Sequence, residues 1–163
     1  MGLQELADLE ALIQLKTKGK KGPTAGIAAA RRAAVLLLNA HFEAFLEDLL
    51  QEALTAINPG LDASSLGRDF KTPRCRNIDR FFVVLGISKL SKQPSWKKAS
   101  NKAVRRNIDE LQDARNAIAH GEKDAKAKKS DIARFETYVT GFADAADRIV
   151  AAQVKKLTGK KPW

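Results

Sequence analysis

Residues 25–57 contain no proline and, past Gly26, no glycine. A run that long, rich in Ala and Leu, predicts one helix of about thirty residues starting at Thr24 or Ala25. Its apolar stripe runs through Ile27, Ala30, Ala34, Leu37, Leu38, Phe42, Phe45, Leu49, Ala53 and Ile57. Glu43, Glu47, Asp48 and Glu52 mark a polar side, and Asn58-Pro59-Gly60 stops the helix. Such a stripe must be buried against other secondary structure, and no part of the chain shows the alternation of a strand.

The remaining segments read as shorter helices. Residues 3–16 carry Leu3, Leu6, Leu9, Leu12, Ile13 and Leu15, an amphipathic pattern that dissolves into a lysine- and glycine-rich linker. Residues 61–76 are polar and turn-rich. Ile78, Phe81, Phe82 and Leu85 then form a short helix closed by Gly86, and Pro94 keeps residues 88–95 as a loop. A further helix begins between Trp96 and Ser100 and runs to Ala119 on Val104, Ile108, Leu111 and Ile118, with Gly121 just past its end. After a charged loop over residues 122–130 comes the cleanest periodicity of all: Ile132, Phe135, Val139, Phe142, Ala146, Ile149 and Leu157, started by Ser130 or Asp131 as a cap. The expected fold is all-α, an antiparallel bundle of about five helices. It forms one domain over residues 1–163, with an N-terminal helix and basic linker at 1–23 and a flexible tail at 158–163.

Composition narrows the function. One cysteine, Cys75, excludes an intramolecular disulfide, and with two histidines, His41 and His120, a zinc site would have to lean on carboxylates. Cys75 lies between Arg74 and Arg76 but has no base partner in the sequence, so it reads as a bystander thiol. His41 next to Glu43 and Glu47 lacks the spacing of a metal motif. No metal and no cofactor are therefore expected. The start of the chain has no signal-like apolar run, and the longest apolar stretch is far too short to cross a bilayer, so the expected location is cytoplasmic with no membrane contact.

The net charge of +10 is concentrated. Between Arg68 and Arg106 twelve Lys and Arg face only Asp69 and Asp79, while the rest of the chain balances. A field of that sign suits a phosphate backbone, and the residues expected to contact RNA are Arg74, Arg76, Lys97, Lys98, Lys102, Arg105 and Arg106. The same run also reads as a solvated face that keeps the protein soluble.

The most chemically suggestive string is Arg115-Asn116-Ala117-Ile118-Ala119-His120, at the end of a predicted helix. Asn116 and His120 are one turn apart on one face, with Gln112 before them on the same line, so an amide can orient an imidazole beside a fixed cation. Arg115 and His120 point about 140° apart on an ideal helix, so their cooperation depends on the helix end. Cleaving RNA through its 2′-hydroxyl needs a proton acceptor, a proton donor and a cation for the phosphorane charge. His120 can be acid or base and Arg115 the cation, but one copy holds only one of each. The chemistry therefore calls for two copies facing one another. Spacing alone does not separate this role from that of a histidine capping a helix C-terminus.

Asp113-Ala114-Arg115-Asn116-Ala117-Ile118-Ala119-His120-Gly121 resembles the signature of the HEPN superfamily, all-helical proteins with four to six residues between an Arg and a His. Residues 38–50 resemble the long helix of its RiboL-PSP-like branch, and residues 77–87, with Trp96 after them, extend the similarity across most of residues 30–155. The resemblance implies metal-independent endoribonuclease activity by a homodimer, with catalytic Arg115, Asn116 and His120 of each copy lining one cleft and leaving a 2′,3′-cyclic phosphate. It also implies a toxin or an RNA-based defence or repair component, with an antitoxin or RNA-processing protein as a further partner. In toxins of this superfamily paired with nucleotidyltransferase antitoxins, a Tyr commonly stands two residues past the His. Here that position is Glu122 and the only tyrosine is Tyr138, which departs from that style of regulation. Two rivals stay open, a non-catalytic RNA- or nucleotide-binding HEPN module and a helical interaction domain.

Overall fold

The computed structural model describes residues 25–60 and 72–163. Among them the protein is all-α, with four α-helices: α1 (Ala25–Ile57), α2 (Cys75–Phe82), α3 (Asn101–Ala119) and α4 (Lys129–Thr158). The fifth helix expected near the N-terminus, and most of the turn-rich segment before α2, lie outside the described residues.

Helix α1 spans the long uninterrupted run and ends where Asn58 stops it, its N–H on the Leu54 carbonyl at 2.9 Å and its side chain accepting from the Gly60 N–H at 3.2 Å. Its buried face is wider than the predicted stripe and rotated from it. Val35, Leu46, Leu50 and Leu54 are buried, whereas Leu37 is exposed and Ala30, Phe45 and Ile57 are half-buried. The cause is that α1 packs on both α4 and α3, so it must bury two faces where one amphipathic stripe serves one neighbour. Phe42 of α1 meets Phe142 of α4 edge to face, with centroids 5.6 Å apart, at the centre of that core.

Helix α2 is too short to stand on propensity and is held by long-range caps. The Cys75 N–H donates to the Asp109 carboxylate of α3 at 2.9 Å, satisfying one of the donors a helix start leaves open. A 3₁₀ turn at Val83–Leu85 follows, closed by Gly86 at φ +78°, where a side chain would be strained. Asp79 then accepts from the Ser91 N–H and hydroxyl at 2.7 and 2.9 Å, which organises a second 3₁₀ turn at Leu90–Lys92 inside the predicted loop.

Helix α3 is capped by the Ser100 hydroxyl and closes through His120 and Gly121, the latter at φ +74°. The Glu122 N–H returns to the Ala117 carbonyl at 2.9 Å, a C-terminal turn in which Gly121 supplies the left-handed residue. Helix α4 starts two residues earlier than a Ser130 cap, and three earlier than an Asp131 cap, would allow. Lys128 stands at the cap position, and Asp131, two residues inside the helix, accepts from the Lys128 N–H at 3.1 Å. Past Gly159 the chain, expected as a flexible tail, returns to α4, where the Trp163 indole donates to Asp147 at 3.1 Å. No helix among the described residues is long and apolar enough to cross a membrane.

Candidate functional site

The string from Gln112 to His120 shows how a helix carries side chains from core to surface. Successive steps of four residues advance 400°, so each rotates the line 40° around the axis. Gln112 is fully buried and donates to the Asn39 side chain of α1 at 2.5 Å. Asn116 is half-buried, and His120 reaches solvent. Arg115 lies on the other side of Asn116, and its guanidinium donates to the Asn116 amide oxygen at 3.2 Å. Asn116 thus sits between the two groups that the ideal helix separates. The Asn116 amide oxygen is turned to Arg115.

His120 occupies the C-cap of α3, its backbone N–H on the Asn116 carbonyl at 2.9 Å. Helix α1 supplies the other wall. Asn39 against Gln112, and the Arg32 guanidinium on the Lys123 carbonyl at 3.0 Å, set α1 and α3 antiparallel. That register places Leu36 and Leu37 level with the last turn of α3. Both leucines are exposed, 37% and 36%, so α1 carries apolar surface at that level. Glu43 of α1 interacts electrostatically with Arg115. Partial burial raises the Glu43 pKa, Glu47 adds to that, and the positive Arg115 works against both. Glu47 is likewise raised, by burial and then by Asp48. The two carboxylates are one turn apart on α1, and Glu43 is the one that interacts with Arg115.

The residues expected to hold RNA do not gather around this site. Lys102, Arg105 and Arg106 stand on the first turns of α3, so Lys102 is about 27 Å along the axis from His120. Arg106 approaches Glu110 at 3.9 Å, and Arg105 has a buried Nε without a partner among the described residues. Arg74 is tied to Asp113 at 2.5 Å, two turns before His120. Arg76 is exposed on α2, and Lys97 and Lys98 are exposed in the turn between Trp96 and Ala99, whose backbones bridge. Part of the basic excess is therefore spent on ion pairs with α3. Cys75 is buried, its thiol pushed up to about 12 by burial and then by Asp109, which leaves it unreactive near neutrality despite its flanking arginines.

Among the described residues no three His, Cys, Asp or Glu side chains gather in a way that would hold a metal ion. Sequence reasoning missed a second basic feature at the same end of the bundle, a groove lined by Arg31, Lys128, Lys129, Ser130 and Ala133. Its signal was present as two adjacent lysines at the start of α4, where the helix dipole disfavours positive charge.

No curated protein and no solved structure matches this chain. The family model for RiboL-PSP-HEPN does, over residues 3–152, a span that takes in α1, α2, α3 and most of α4 together with the string from Arg115 to His120. The chain belongs to the RiboL-PSP-HEPN family.

Proposed function

We propose that this protein is a metal-independent endoribonuclease that acts as a homodimer, with Arg115, Asn116 and His120 of both copies forming one site. The observation that carries the proposal is the end of α3. An exposed imidazole stands at the helix terminus, and one turn back Asn116 holds a guanidinium in place. The family supplies the RNA-related context.

In the reaction, the 2′-oxygen of a ribose attacks the adjacent phosphorus while its proton passes to one His120. The bond from phosphorus to the 5′-oxygen breaks, and the partner's His120 delivers a proton to that oxygen. The products are a 2′,3′-cyclic phosphate and a free 5′-hydroxyl. Arg115 meets the additional negative charge on the five-coordinate phosphorus, where a positioned cation contributes most. A single copy has only one imidazole for two proton transfers, which is the chemical reason for a pair. The exposed Leu36 and Leu37 of α1 are the apolar surface we assign to packing of the second copy. An enzyme of this kind fits a toxin or an RNA-based defence or repair role.

His120→Ala is expected to lower RNA cleavage by about 10²–10⁴-fold, with EDTA leaving wild-type cleavage intact and Leu36→Glu/Leu37→Glu shifting the sedimentation profile to monomer with loss of activity. Cleavage that disappears with the chelator, or that survives His120→Ala, would overturn the proposal. RNA binding without turnover in wild type and His120→Ala alike would select a non-catalytic module instead.

A further inference from the structure

The groove between α1 and the start of α4 is a local contradiction of ordinary helix design. A thirty-residue helix begins with Lys128 and Lys129, although the exposed N–H groups of a first turn already make that end positive. Asp131 answers only part of this, because its carboxylate is divided between the Lys128 N–H and the Arg134 guanidinium at 3.3 Å. No acidic side chain lines the groove. Arg31 enters it from α1, with its Nε buried and without a hydrogen-bond partner among the described residues. The Ser130 hydroxyl completes a lining of donors.

The position is held from several sides. Next to Arg31, Arg32 grips the Lys123 carbonyl, and Lys126 reaches Glu110 at 3.2 Å. The loop from His120 to Lys128 is thereby pinned against α1 and α3, with Ala127 packed on the core. The groove and the end of α3 consequently share one end of the bundle, joined by seven intervening residues, 121–127. Glu122 and Asp124 belong to that loop but do not line the groove. Clustered cations at a helix start that go unanswered by acids have the chemistry of a phosphate subsite.

We infer that Arg31, Lys128, Lys129 and Ser130 bind backbone phosphates of the RNA strand as it passes the Arg115–His120 site. The inference rests on the RNA-directed reading above and moves the main phosphate contact away from the segment of residues 68–106.

The test is binding of a single-stranded oligoribonucleotide by fluorescence anisotropy over a range of salt concentrations, in the His120→Ala background so that the probe stays intact. Removing three phosphate contacts with Arg31→Gln, Lys128→Gln and Lys129→Gln should lower the log–log salt slope by about 2 and the affinity by at least about tenfold. The lysine pair alone, which leaves the half-buried Arg31 untouched, should give about two thirds of that change in slope. Lys155→Gln, Lys156→Gln and Lys160→Gln remove the same charge near the far end of α4 and should leave the slope nearly unchanged. An unchanged slope in the lysine pair, or an equal drop in the far-end control, would overturn the subsite. If wild type cleaves no RNA yet the groove variants still lose slope, the subsite stands and the ribonuclease reading falls.

Discussion

Helix α3 carries two charge clusters built in opposite ways. Around Glu110 nearly every charge is answered. Arg134 donates to it at 2.8 Å, Lys126 approaches at 3.2 Å, and Arg134 also contacts Asp131 and the buried Asn107 oxygen. Arg134 further lies over the Phe135 ring at 4.7 Å. At the end of the same helix Arg115 touches only a neutral amide by hydrogen bond, His120 is exposed, and the adjacent groove holds Arg31, Lys128 and Lys129 with no lining acid. Paired charges between α3 and α4 fix how the two helices pack. Cations that no acid pairs by direct contact do little to fix packing and are left with capacity for an anionic ligand.

The largest effect that tests this contrast is on stability. Arg134→Ala removes a guanidinium with three polar contacts and strands the oxygen of Asn107, which is 2% exposed. Thermal denaturation should show a loss of about 2 kcal/mol, within the usual cost of an unsatisfied buried acceptor plus a partly exposed ion pair. His120→Ala should shift the same transition by less than about 0.5 kcal/mol while removing cleavage. Equal losses in the two variants would erase the distinction between a structural and a functional cluster.

A smaller effect comes from pH. The Arg134 hydrogen bond holds the Glu110 carboxyl below its ordinary range, helped by Lys126 and opposed by partial burial. A depressed native pKa means the unfolded chain binds the proton more readily, so this stabilisation is present above the ordinary carboxylate pKa and is lost as pH falls through the lowered one. Glu110→Gln should therefore cost about 1 kcal/mol near neutrality, typical of a partly exposed network. Its deficit against wild type should shrink in acid, as read from urea unfolding at stepped pH.

The sequence made the elements legible and left their partners hidden. Local chemistry decided where α1 runs, because Pro59 and Gly60 end an otherwise unbroken helical stretch, and where Gly86 and Gly121 close their turns. The face α1 buries was not legible, since Val35, Leu46 and Leu50 are inside only because two helices pack on it. Nor were the caps that Asp109 and Asp79 provide from a distance. At the site, the order Arg115, Asn116, His120 could be read directly. That Gln112 sits in the core while Asn116 turns to Arg115 follows from the drift of a helix line around its axis and from Asn39 opposite, neither of which spacing alone reports. The basic count over residues 68–106 does not report which charges are paired, because the contact of Arg74 depends on Asp113 of α3 facing it.

The finest test concerns the one carboxylate placed against the unpaired end. Burial, then Glu47, raises the Glu43 pKa, and Arg115 only partly offsets them. A raised native pKa has the opposite linkage from Glu110: the ionised form is disfavoured in the fold, so stability falls as pH rises from the ordinary carboxylate value through the raised one. Glu43→Gln should thus be slightly more stable than wild type at neutral pH, by no more than about 0.5 kcal/mol, with the gain fading as acid protonates the wild-type side chain. It should also bind RNA more tightly at neutral pH, because an anion that interacts with Arg115 is gone. In the wild type, acid produces the same neutral side chain, so the affinity difference between the two proteins should close as pH falls through the raised value. An affinity difference that stays constant over that range would mean Glu43 does not tune Arg115, and that the end of α3 is as indifferent to its neighbours as an ordinary helix cap.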